Sequence, residues 1–233
     1  MLSIIIPAYN EGEKLEPAIV ALRDLAVRDH VLVEIVVAVN GSTDNTEQVA
    51  KGIADVVTAT PLKGLSRARN MGALASHGEG IVFLDVDTQL RPGALAAFAQ
   101  LAQPGVTGSC SAVPDKSSWK AHATVVLKNL VRGLGIVKGL SGPIVCHRDL
   151  IHKHGVLFRE DLNIAEIHDF LYRARKQAGV HYRYIWRRLY TFSVNRYERV
   201  GYVKTFRFWA RYWWYGHILK HDHKVLEEEY WSQ

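Results

Sequence analysis

Asp85-Val86-Asp87 is the stretch of this chain whose spacing most directly implies chemistry. Leaving a strand, residues i and i+2 point to the same side, so the two carboxylates would lie close together and repel unless a cation sits between or near them. A donor set made only of oxygens favours Mg2+ or Mn2+, ions that keep several waters and share their shell with substrate phosphates. On its own a D-x-D is more often two solvated acids at a strand end, so its meaning depends on what the fold places beside it.

A second set of acids lies in Ala165-Glu166-Ile167-His168-Asp169-Phe170-Leu171-Tyr172-Arg173, where Glu166, Asp169 and Arg173 recur at i, i+3 and i+7 on one helical face. Asp169 with Arg173 has the i,i+4 spacing of an ordinary ion pair. Two polar loops add hydrogen-bonding groups, Tyr9-Asn10-Glu11 and Asn40-Gly41-Ser42-Thr43-Asp44. By itself the second is an ordinary turn with a helix cap.

What must position these groups is a run of alternating elements. Leu2 to Ile6 and Leu32 to Val39 read as buried strands, the second interrupted by Glu34, and between them Leu15, Ile19, Leu22 and Leu25 recur at helical spacing. Asp44 caps a helix to about Ala54, Val56 to Thr58 is a short strand, Ser66 to Ala75 a helix and Ile81 to Leu84 a buried strand. Pro92 then stands in the first turn of an alanine-rich helix to about Gln103. The fold class is α/β, a mostly parallel sheet with helices on both faces, and such sheets bind ligands beyond the carboxyl ends of their strands. Both polar loops and the Asp85 to Asp87 pair fall at those ends.

With 233 residues, 48% of them hydrophobic, the chain has the material for a large core, which excludes a disordered tail protein. Cys110 and Cys146 cannot make a disulfide framework, and Met1 to Tyr9 lacks the pattern of a secretory signal, so the expected location is cytoplasmic. No run of about 18 uncharged apolar residues is present, leaving a soluble protein or one peripheral on the inner face of a membrane. Residues 1–180 hold 19 Lys and Arg against 18 Asp and Glu, whereas 181–224 hold 10 against 2. That basic segment would meet nucleic acid, lipid headgroups or an anionic substrate equally well.

Four segments, Ser3-Ile4-Ile5-Ile6-Pro7-Ala8-Tyr9-Asn10-Glu11, Asn40 to Asp44, Ala68-Arg69-Asn70-Met71-Gly72 and Phe83-Leu84-Asp85-Val86-Asp87, resemble in order and spacing the family 2 glycosyltransferases, inverting nucleotide-sugar enzymes on the GT-A fold. The resemblance covers about 1–200 and is strongest to 90. It implies a GT-A domain over 1–200, with a nucleotide-sugar and metal half at 1–112 and an acceptor half at 113–200, followed by an aromatic, basic helical extension at 201–233. It implies a nucleoside diphosphate sugar donor, UDP-sugar favoured, contacted by Pro7, Ala8, Tyr9, Glu11, Asn40, Ser42, Arg67, Asn70, Asp85 and Val86. Arg67 and Lys63 would face the diphosphate, and Asp87 with Asp85 would hold Mg2+ or Mn2+. No nucleic acid partner is implied.

Two departures from the family pattern matter. Asn40 stands where many members carry an aspartate that accepts from the uracil imide, and it keeps an acceptor oxygen. Ile167 stands where the family has its general base. Either Glu166 or Asp169 substitutes, or the acceptor, a glycan hydroxyl or a polyprenyl phosphate, needs no base. The alternative is a catalytically impaired nucleotide-binding domain that binds membrane or another anionic partner through its basic segment.

In the second half, Trp119 to Val131 has helical periodicity, Gly133, Gly135, Gly139 and Gly142 punctuate a loop that is either a lid or a connection, and Gly142 to Cys146 resembles the family's acceptor-side strand. Ser193 and Arg196 resemble a Ser-x-x-Arg element at the edge of the site. Lys204 to Leu219 reads as a helix with Phe206, Trp209, Trp213 and Trp214 beside Lys204, Arg207 and Arg211, either interfacial or packed on the domain. Arg173, Arg196, Arg207 and Arg211 are thus candidates for acceptor or membrane contact, while His217, His221 and His223 read as solvated surface.

Overall fold

The structure is a computed structural model that describes residues 1–137, 141–162 and 165–213, the side chains of 209 and 211–213 excepted. Gly139, Trp214 and the three histidines at 217, 221 and 223 lie outside the described residues, as do the side chains of Trp209, Arg211 and Trp213. The first half alternates strand and helix: β1 (Leu2–Ala8), α1 (Gly12–Arg28), β2 (Val33–Asn40), α2 (Thr46–Ile53), β3 (Val56–Thr60), α3 (Leu65–Ala75) and β4 (Gly80–Phe83). These strands pair in the order β3-β2-β1-β4, all parallel. A short β5 (Gln89–Leu90) and α4 (Ala94–Leu101) lead into the second half. There β6 (Val106–Pro114), α5 (Trp119–Gly133), β7 (Ile144–His147), α6 (Asp149–His152), α7 (Glu166–Ala178) and β8 (His181–Phe192) precede α8 (Asn195–Val200) and α9 (Tyr202–Trp213).

The sheet continues past β4 as β7-β6-β8-β5, but no longer in one direction. β7 is antiparallel to both β4 and β6, β6 is parallel to β8, and β5 is antiparallel to β8. The expected parallel sheet is therefore found in the first half and becomes mixed in the second.

Alternation along β1 assigns the faces. Ile4 and Ile6 join Leu15, Ile19 and Leu22 of α1 and Phe98 of α4 in one core. Ile5 joins Ala73 of α3, Phe83, Phe158 and Phe170 in the other. A Cβ on Gly72 would meet Ile5 Cγ2 at 2.5 Å, so α3 sits this close to the sheet only because that position has no side chain.

Two local readings shift. Pro92 lies before the helix: α4 starts at Ala94, Gly93 caps it at φ +83°, and Asp29 of the α1 terminus accepts from the Gly93 and Leu95 amides at 2.7 and 2.8 Å. A carboxylate at exposed helix amides suits the dipole. Glu34, which breaks the apolar pattern of β2, is buried and accepts from the Ser3 hydroxyl at 2.5 Å and the His77 amide at 2.9 Å. Burial opposes its charge, but the His77 amide and Ser3 hydroxyl outweigh this and hold the carboxyl below its ordinary value. Cys110 and Cys146 are unpaired with each other and buried, and burial pushes each thiol up to about 12.

Candidate active site

Three adjacent strands, β2, β1 and β4, end on one edge, and the loops that leave them are tied together by their own polar side chains. Asn10 adopts φ +53°, a conformation asparagine tolerates, and its Oδ1 accepts from the Thr43 amide at 2.8 Å while its own amide reaches Ser42 Oγ at 3.1 Å. Glu11 N donates to Thr46 Oγ1 at 2.9 Å and Gly12 N to Asp44 Oδ2 at 3.3 Å. Asp44 also accepts from the Thr46 hydroxyl and amide, and the Thr46 hydroxyl is the main cause that holds its carboxyl below the ordinary range. So Asp44 reaches the first turn of α2 as expected, although the capping position itself is Asn45.

Asn40 is buried at the end of β2, and its amide is used at both ends: Nδ2 donates to Ala8 O at 3.0 Å and Oδ1 accepts from Gly64 N at 3.1 Å. The structure therefore gives it the task of joining three loops, leaving one lone pair of Oδ1 for any base. Pro7 and Ala8 are strand residues inside the sheet, so only their backbone reaches the rim. Tyr9 is exposed there, with Lys63 Nζ 4.0 Å from its ring centroid. Glu11 pairs with Lys14 at 2.6 Å.

The decisive contact joins the two halves. Arg69, buried on α3, donates to Asp85 Oδ1 at 3.1 Å and to Glu166 Oε1 at 2.7 Å. Burial works against its charge, and the two carboxylates more than offset this, keeping the guanidinium above its ordinary range. The sequence reading assigned Arg69 only to a segment that closes the site; its signal is an arginine flanked by the small residues Ala68, Gly72 and Ala73 on a helix face that packs on the sheet. Asn70, next to it, is spent on the backbone of Phe158, donating to its carbonyl at 2.9 Å and accepting from its amide at 2.8 Å. Arg67 pairs with Glu160 at 2.8 Å. Asn70 and Arg67, expected at the nucleotide, are both bonded in this structure to the segment before α7.

Of the two acids on α7, Glu166 reaches the Asp85 side of the crevice and Asp169 does not. Asp169 pairs with Arg173 at 2.7 Å, and Arg173 donates to Leu157 O at 2.5 Å, so both hold the helix to its preceding loop. Ile167 is buried in the core with Phe83 and Phe170, facing away from the acids. Asp87 is exposed on the rim, and partial desolvation together with the charge of Asp85 raises its carboxyl above the ordinary value. Two carboxylates, one of them held on one oxygen by Arg69, fit a hard divalent cation that takes its other ligands from water and phosphate. Among the described residues, no group of three or more His, Cys, Asp and Glu is placed to enclose a metal.

Pairing of β5 with β8, Gln89 opposite Thr191, brings the segment after β8 beside the one after Asp87. Ser193 follows β8, and Arg196, grouped with it in the sequence, stands on α8. Arg207 is exposed on α9, whose Phe208 and Thr205 are buried and whose Phe206 packs on Tyr197 of α8 at 5.7 Å.

The model of the family described as glycosyl transferase family 2 matches residues 3–152. The chain belongs to that family. It is 30% identical over 119 residues, 47% of this chain and 38% of the other, to a GalNAc(5)-diNAcBac-PP-undecaprenol beta-1,3-glucosyltransferase of Campylobacter jejuni subsp. jejuni serotype O:2. The chain spans between 27% and 58% of the length of the curated relatives it matches. Among solved structures, it resembles a mannosyltransferase from Pyrobaculum calidifontis in complex with GDP-Man and Mn2+ at TM-score 0.65 and 19% identity, over 98% of this chain and 68% of that one. It also resembles S. aureus TarS 1-349 in complex with UDP at TM-score 0.59 and 20% identity, over 83% and 60%. The fold is that of GT-A glycosyltransferases.

Proposed function

We propose that this glycosyltransferase moves a sugar, with inversion, from a UDP-sugar to a lipid-linked acceptor, using Mg2+ or Mn2+ held by Asp87 and Asp85. The observation that carries the reading is the Arg69 bridge, which sets Glu166 of the acceptor half against Asp85 of the nucleotide half. A bound divalent ion would supply Lewis-acid stabilisation of the charge on the departing nucleoside diphosphate. Tyr9 and Lys63 line the rim where base and phosphate would lie, and Ser42 and Glu11 fix that rim. Glu166 takes the proton when the acceptor is a glycan hydroxyl, a role that Asp169, engaged by Arg173, fills less well. A second reading, transfer to an already ionised polyprenyl phosphate, is favoured by Ile167, because such an acceptor needs no base. The Campylobacter relative is named for a PP-undecaprenol acceptor, and the two structural neighbours carry UDP and GDP-Man, which supports the substrate classes.

Calorimetric titration of nucleotides tests it. UDP should bind more tightly than GDP or CDP, and more tightly with Mn2+ than without, and Asp87→Ala should lose the metal-dependent gain with its fold intact. Equal affinity of the unaltered protein with and without Mn2+ overturns the assignment. Transfer abolished by Glu166→Gln but not by Asp169→Asn marks the glycan hydroxyl; transfer to a polyprenyl phosphate that survives both marks the second reading.

A further inference from the structure

α5 is turned inside out. Its inner face buries Ala121 and Val125 but also Thr124, Lys128, Asn129 and Arg132. Its outer face presents Trp119, Val126, Leu127 and Leu130, followed by Leu134 just past its end, each between 45% and 75% exposed. Trp186 of β8 lies against the last turn, where a Cβ on Gly133 would collide with its ring, and is itself exposed. An apolar ridge four turns long thus runs between two exposed tryptophans, the residue type that settles where hydrocarbon meets headgroups.

Its electrostatic surroundings are mainly basic. From Lys116 to Arg148 the chain contains six Lys and Arg and no Asp or Glu; Lys116 is paired with Glu198 and Lys128 and Arg132 are buried, while β8 adds Arg188 by alternation on the side where Trp186 and Tyr190 meet α5. Lys120 and Arg188 are exposed, whereas Arg187 reaches the other face, beside Gly93 at the start of α4. A second copy pressed on this ridge in a two-fold dimer would set like charge against like, whereas an anionic bilayer attracts each cation. The position suits it as well. β6 runs in the direction of β1 and β4, two antiparallel pairings away, so α5 departs from the same edge of the sheet as the loops that carry Asp85 and Glu11.

We propose that the outer face of α5, with Trp186, docks on an anionic phospholipid bilayer and holds the crevice at the headgroup layer, where a lipid-linked acceptor presents its sugar or phosphate. The proposal rests on the reading that the acceptor is lipid-linked. The contact is peripheral: among the described residues, no helix is long and apolar enough to cross a membrane.

Co-sedimentation of the full chain with vesicles tests it. Binding to phosphatidylglycerol-containing vesicles should exceed that to phosphatidylcholine alone, and Leu127→Glu with Leu130→Glu should lower it at least tenfold while leaving UDP affinity and the thermal transition unchanged. Because both native cysteines are buried, Leu127→Cys gives a second readout: rapid maleimide labelling in solution that anionic vesicles suppress. No binding by the unaltered chain, equal binding by the double variant, a solution dimer that the double variant dissolves, or Leu127→Cys protected without vesicles would each overturn it. Transfer to a short, water-soluble polyprenyl acceptor without vesicles tests the acceptor class alone; if it proceeds while vesicle binding fails, only the docking surface falls.

Discussion

The half built on β1 to β4 and the half built on β6 to β8 use charge in opposite ways. In the first, the buried charges have partners: Arg69 has Asp85 and Glu166, and Glu34 has Ser3 and His77. In the second, the hydrogen-bond partners of the buried Lys128 and Arg132 among the described residues are phenol, hydroxyl and carbonyl groups. Lys128 donates to Tyr190 OH at 2.8 Å and lies 3.5 Å from the Phe192 ring centroid, and Arg132 reaches Tyr190 OH and Ser109 Oγ at 3.0 and 2.5 Å. Burial, with Arg132 beside it, lowers Lys128 well below the ordinary lysine value. A paired buried charge fixes geometry, whereas an unpaired one records a cost that the surrounding structure bears.

The comparison is most easily broken at Arg69. Arg69→Met should leave Glu166 and Asp85 facing one another without a cation, with a loss of about 3–5 kcal/mol in denaturant unfolding and a still larger proportional loss of transfer. A variant as stable as the unaltered protein would remove the bridge from the account. Next in size, Glu34→Gln should cost about 1–3 kcal/mol at pH 7, because it removes a charged acceptor from buried donors. Since the folded carboxyl sits below its ordinary value of 4.5, its stabilising contribution is full above that pH and is lost as pH falls through the folded value. The gap between the two proteins should therefore narrow in acid, and unfolding curves at pH 7 and pH 4 measure it. The smallest change is expected at Lys128→Met, within about 1 kcal/mol and of either sign, because no acid is orphaned and the desolvation of an amine is removed. A loss as large as that of Arg69→Met would mean that both halves obey the same rule.

The first half was largely legible in the sequence because β1, β2 and β4 are mostly apolar runs, broken in β2 by Glu34 alone, and its loops are short. β1, β2 and β4 lie within two residues of where Leu2 to Ile6, Leu32 to Val39 and Ile81 to Leu84 placed them. β8 was not read: its twelve residues include Arg183, Arg187 and Arg188, and a register shift in its pairing with β6 breaks the two-residue alternation. Insertion of β7 between β4 and β6 leaves no local trace, since strand order is decided by long-range pairing. The carboxylates after β4 and on α7 were legible as chemistry, but not their link through Arg69, which depends on two helices meeting. The periodicity of Trp119 to Val131 announced a helix without saying which face turns inward. Hydrophobic spacing gives a period, and only packing gives a direction.

The bidentate hold of Asn70 on Phe158 sets an order of events during synthesis. The two residues are 88 positions apart, and Arg69 and Glu166 are 97 apart. A nascent chain that has left the ribosome only as far as residue 112 already has every loop of the nucleotide rim, yet has neither anchor for α3. Contacts of such long sequence separation form late, after the entropy of closing the intervening loop has been met. The crevice is consequently among the last parts of the domain to acquire its shape, and in the emerging first half Arg69 has Asp85 alone and Asn70 lacks its Phe158 partner until the acceptor half arrives.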